Sequence, residues 1–154
     1  MLTIRRLKNS LSHTYPPLVV NGKEEWNLFS NKSIDSSILI LKNISDYNSD
    51  TNRLYQHNCS TLILDNCNKN FVYRHLDTIT FPQVELIYLL SYPCEPNVFH
   101  RWLHYVDNNR RKLVPSVFLS EDYLVYKNRW ISDIEEIKII TDYEVNELRK
   151  KYHF

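Results

Sequence analysis

The sequence predicts an α/β fold: a short solenoid built on a parallel sheet of five to six strands with helical or irregular connections. Three observations carry this expectation. Short apolar runs recur along the chain with one internal pattern, apolar-x-x-apolar-x-apolar. The runs return every 20 to 30 residues, which is the signature of a repeat architecture. The stretches between them are long enough for crossovers, so successive strands should lie parallel and in sequence order.

The elements follow in order. Residues 1–14 place Leu2, Ile4, Leu7 and Leu11 on one helical face and read as an N-terminal cap, because each repeat buries its face only against a neighbour and the first one needs a cover. Residues 15–142 carry the repeats. They read Tyr15-x-x-Leu18-x-Val20, Ser36-x-x-Leu39-x-Leu41, Cys59-x-x-Leu62-x-Leu64, Val84-x-x-Ile87-x-Leu89, Val114-x-x-Val117-x-Leu119 and Ile134-x-x-Ile137-x-Ile139. The last apolar positions, 20, 41, 64, 89, 119 and 139, are separated by 21, 23, 25, 30 and 20 residues. Strands are expected near 38–41, 61–64, 86–89, 116–119 and 136–139, with Leu64 fully buried. Only Ser36 breaks the apolar character of the motif.

The segment CSTLILDNC at 59–67 resembles the leucine-rich-repeat motif LxxLxLxxN/C through to its closing residue, Cys67, and FPQVELIYL at 81–89 is similar to that family's approach to a strand. The resemblance spans about residues 15 to 142 and implies a core-facing pair of apolar residues per strand with a buried closing side chain. The other closing positions, Lys23, Ile44, Tyr92, Asp122 and Asp142, depart from the motif. An α/β domain whose central sheet is covered on both faces accounts for the same apolar runs. Enrichment in Asn, Ile, Lys and Tyr also resembles proteins of large DNA viruses or protists with A+T-rich genomes.

Between the runs, 22–32, 50–57, 68–78, 97–112 and 123–130 have helical potential. The 97–112 segment is the clearest, with Val98, Trp102, Tyr105 and Val106 on one face, Asn97 as a cap and Arg110, Arg111 and Lys112 at the end where cations are favoured. The segment 143–154 reads as a C-terminal capping helix over the last repeat: Thr141 or Asp142 can cap it, and acids precede bases as a helix dipole prefers. With a single glycine, Gly22, the turns must use other residues. Asn tolerates left-handed backbone, which makes NSDTN, DNCNKN and VDNNR the natural turns.

Composition excludes several classes of function. Nineteen Lys and Arg against 18 Asp and Glu leave a net charge of +1, so no global field draws the chain to nucleic acid or an acidic membrane. The basic clusters Arg5-Arg6, Arg110-Arg111-Lys112 and Arg149-Lys150-Lys151 are local, and two of them stand at expected helix C-termini. One glycine cannot build a phosphate loop or a G-x-S-x-G elbow. No run approaches a membrane span, and the N-terminal apolar run is too short for a signal peptide. Three cysteines, an odd number, fit reduced thiols in an intracellular setting, cytoplasmic or nuclear.

Two constellations have metal-ligand residue types. His100 and His104, four apart on the 97–112 helix, can share a metal, with Cys94 as a further donor. Arg101 stands where a metalloprotease helix carries its glutamate, however, which removes the general base and adds a like charge. His57, Cys59, Cys67 and His75 lack a short paired spacing, and the repeat register turns both cysteines into the core.

The stronger signal is a row. The residue between the two core positions of each strand is Val19, Ile40, Ile63, Tyr88, Phe118 and Lys138, and all but Lys138 are apolar or aromatic. A solvated sheet face should be polar. The row therefore predicts a contact surface for a protein partner or for self-association, centred on Ile40, Ile63, Tyr88, Phe118 and Lys138; alternatively, the sheet is covered on both faces. The expectation is a non-enzymatic interaction module without a cofactor, and the alternative is a zinc-dependent enzyme or metal-binding protein using His100 and His104.

Overall fold

A computed structural model describes residues 16–45, 55–68, 71, 81–91, 116–122 and 137–154. Among these, six strands and two helices follow one another as β1 (Leu18–Asn21), α1 (Gly22–Phe29), β2 (Ile38–Lys42), β3 (Thr61–Asp65), β4 (Leu86–Leu90), β5 (Ser116–Leu119), β6 (Ile137–Ile139) and α2 (Asp142–Tyr152). The strands form one sheet in the order β1-β2-β3-β4-β5-β6, and every pair is parallel. The expected positions and order of the strands are observed.

Because side chains alternate across a strand, the apolar runs supply both faces. Val20, Leu39, Leu41, Leu62, Leu64, Ile87, Leu89 and Leu119 point to the first face and are buried, Leu64 at 2% exposure. Trp26 of α1, Phe71 and Phe81 close over them. Trp26 meets Phe71 edge-on at 5.2 Å, a favoured aromatic geometry. Cys59 and Cys67 also lie in this core, in keeping with their expected orientation.

The strands end alike. In register, Gly22, Asn43, Asn66 and Ser91 each follow the last residue of an aligned column, and all four have positive φ: 88°, 55°, 57° and 53°. Gly22 meets this demand with no side chain, and Asn is the non-glycine residue that best tolerates it. The amides bind one another in a ladder, Asn66 Nδ2 donating to Asn43 Oδ1 at 2.9 Å and Asn43 Nδ2 to Asn21 Oδ1 at 3.0 Å. Ser36, the polar exception in the motif, is buried beside the Pro16 carbonyl, its hydroxyl 2.9 Å away. A hydroxyl at that site ties β2 to the segment before β1.

Several expectations on the connections change. The first helix stops at Phe29, short of residue 32. Tyr55, Gln56 and His57 are not helical, and His57 is instead buried. The helix and cap expectations for 97–112, 123–130 and 1–14 lie outside the described residues, as do those for 50–54 and for all of 68–78 but residues 68 and 71.

Candidate functional site

The expected row is a true row. Pairing aligns Val19, Ile40, Ile63, Tyr88, Phe118 and Lys138 across all six strands on the second face. Its two halves differ. Ile40 and Ile63, expected on an open surface, are both 0% exposed, and this is a correction with a clear cause: α2 turns back across the second face and covers them. Tyr88 and Phe118 remain half-buried and Lys138 is exposed.

The start of α2 is locally encoded. The Thr141 hydroxyl accepts the Glu144 backbone N–H at 3.2 Å while the Glu144 carboxylate accepts the Thr141 N–H, a reciprocal capping box. The far end closes on His153 in left-handed conformation, with the Phe154 N–H returning to the Arg149 carbonyl at 3.1 Å. Eleven helical residues span ~16 Å, enough to cross about three strand spacings of ~4.8 Å. The helix accordingly starts beside β6 and delivers Arg149 to β3 and β4. There Arg149 Nη2 donates to Asp65 Oδ1 at 3.2 Å and to Ser91 Oγ at 3.0 Å. Val145 is buried between Ile40, Ile63, Leu90 and Ile140, and Leu148, Tyr152 and Phe154 pack around that cluster.

Where α2 leaves the sheet uncovered, Tyr88 and Phe118 stack with ring centroids 4.8 Å apart and planes inclined by 19°. These rings form the floor of an open groove of about 620 Å³ whose wall is α2, contributing Tyr143, Glu144, Leu148 and Lys151. Tyr143 is 72% exposed. Burial raises the Tyr88 phenol above its ordinary range, and the neighbouring Tyr152 and the Glu144 charge add to this against the opposing Lys151. The phenol therefore stays neutral and able to donate a hydrogen bond.

The buried titratable groups of the first face are structural. His57 Nδ1 accepts the backbone N–H of Ile34 at 3.0 Å, and its ring lies 5.5 Å from Trp26 and 5.7 Å from Phe81. The Cys67 thiol donates to the Leu41 carbonyl at 3.3 Å. Cys59 is pushed up to about 12 by burial, which keeps it a thiol and not a nucleophile. Among the described residues, no three His, Cys, Asp or Glu side chains gather to hold a metal ion. His75, Cys94, His100 and His104, and with them the expected metal alternative, lie outside the described residues. No described helix is long and apolar enough to cross a membrane.

The row and its register were legible from sequence; the groove wall and the Arg149 clamp were missed. One signal could have been weighed: Arg149 is the first basic residue of α2 and falls one residue beyond Leu148, so it flanks the apolar stripe.

Two relatives are similar over much of the chain. The uncharacterized protein R849 of Acanthamoeba polyphaga mimivirus is 29% identical over 115 residues, 75% of this chain and 72% of that one. The uncharacterized protein L163 of the same virus is 29% identical over 85 residues, 54% of this chain and 61% of that one. Their viral source agrees with the A+T-rich composition. No solved structure matches. Residues 39–131 match the family of unknown function DUF5845, and the chain belongs to that family.

Proposed function

We propose that the chain is a short leucine-rich-repeat-like solenoid acting inside the cell as a non-enzymatic protein-interaction module. What supports the solenoid is the sequential parallel order, the aligned positive-φ turns, and Cys67 bonding to the preceding strand from the motif's closing position. The reduced, buried thiols of Cys59 and Cys67 suit a reducing compartment.

One observation carries the interaction reading: the stacked Tyr88–Phe118 pair, half-open in a groove beside the exposed Tyr143. Large rigid aromatics of this kind bury much area on binding at little entropic cost, and they dominate contact energies where they are accessible. Neither ring is needed for strand formation, since Val or Thr would serve the strand as well. The surface is therefore the Tyr88–Phe118 groove, with Lys138 paired beside Phe118 in the register, and not the whole row.

The test is the double substitution Tyr88→Ser/Phe118→Ser. The melt should remain cooperative, while binding of a partner captured by the native chain, or self-association in sedimentation, weakens by ~2 kcal/mol or more. A collapsed melt would make both rings core residues and remove the reading.

A further inference from the structure

The sheet and α2 are separable parts of this fold. The first-face cluster contains no residue of α2 and holds the strands under Trp26, Phe71 and Phe81. The second-face cluster is smaller and needs α2, whose only buried residue is Val145; Leu148, Arg149 and Tyr152 are half-buried. An 11-residue helix is marginal in water without packing, so α2 lifted from the sheet would melt.

We propose that α2 is an internal ligand, a strap that lifts and yields the Ile40–Ile63 face to an amphipathic helix of a partner protein. The partner's chemistry is read from what the face now holds. It carries aliphatic, aliphatic and aromatic residues at the spacing of Val145, Leu148 and Tyr152, with an arginine where Arg149 stands. The arginine is the selective element, because the Asp65 side chain is 5% exposed and a helix without a cation would strand that charge. This is helix-in-groove recognition, read as i, i+3, i+7 anchors. It rests on the reading of the chain as an interaction module and adds a second surface, since the Tyr88–Phe118 groove exists only while α2 is seated as its wall. While α2 is seated, the apparent affinity of a partner is reduced by the fraction of molecules whose face is open.

The probe is a fluorescein-labelled peptide of residues 140–154, titrated into the full chain. Val145→Asp, which denies α2 its buried anchor, should bind the peptide at least ~tenfold more tightly than the native chain does. Adding Asp65→Ala should remove the gain, and so should Arg149→Glu in the peptide. A Val145→Asp chain with a native-like melt that binds no more tightly overturns the proposal. A native dimer dissociated by the peptide overturns it as well, since the occupant would then be a second copy. Should Val145→Asp fail to fold, hydrogen exchange on the native chain decides. Amides of 142–152 should exchange at least ~tenfold faster than those of β2 to β4, and equal protection overturns the strap. Failure here leaves the Tyr88→Ser/Phe118→Ser result standing, because that is read with α2 seated.

Discussion

The two faces of the sheet are built by different rules. On the first face each strand brings nearly the same side chains, and α1, Phe71 and Phe81 arrive from the connections to cover them. The second face draws its described cover from one helix that follows all six strands, and its row changes from Val19 to Lys138 along the sheet. A face closed repeat by repeat depends on local sequence. A face closed by one late segment depends on that segment alone.

Leu64 and Ile63 test this contrast best, being adjacent on β3, both buried and on opposite faces. Leu64→Ala should cost about 3 kcal/mol in urea unfolding, and Ile63→Ala about 2 kcal/mol, because α2 can settle into the space. Equal losses would mean both faces are sealed alike, and a Leu64→Ala change under ~0.5 kcal/mol would undo the register itself.

Alkaline titration sharpens the comparison with one group per face. The Cys59 thiol, ordinarily at 9.0, stands at about 12 in the fold. Its neutral form is kept in the folded chain, so the stability it contributes is present below pH 9 and lost as pH rises toward 12. The slope is at most ~1.4 kcal/mol per pH unit. Tyr88 is raised from 10.0 and adds a loss of the same sign above that pH. Cys59→Ala should flatten the decline from pH 9 and Tyr88→Phe only that above 10, measured as urea midpoints against pH. A decline untouched by Cys59→Ala would show the thiol is not sealed.

The smallest expected effect is at the clamp. Arg149→Ala should cost ~1–2 kcal/mol: exposure of a third of the Arg149 side chain weakens the pair, while Asp65, its side chain 5% exposed, loses its cation. A loss above ~3 kcal/mol would make the second face as dependent on a buried charge pair as the first is on its leucines.

These differences also explain what the sequence could reveal. The strands and their row were legible because a two-residue alternation repeated six times leaves little freedom in register. Asn66 is legible as a turn residue, while the Asn21–Asn43–Asn66 ladder is not, although its spacing follows the repeat, because Asn21 and Asn43 lie outside the Asn-rich turn segments. The cover of Ile40 and Ile63 was not legible. It depends on Arg149 meeting Asp65 across 84 residues, and no local pattern records which face a helix will cross. His57 shows the same limit: its residue type fits a metal site, while its partner is the Ile34 backbone.

The long reach of Arg149 also sets an order of events during synthesis. Each strand pairs with the one made just before it, so the sheet can grow while the chain is still being translated. The Asp65 contact must wait until residue 149 has left the ribosome. Until then, among the described residues, Ile40, Ile63 and Leu90 lack their helical cover, and a product cut short before α2 keeps lacking it. A greasy strip of that kind is what chaperones and proteases seize, so the strand-crossing helix also distinguishes molecules whose second face has closed from those in which it has not.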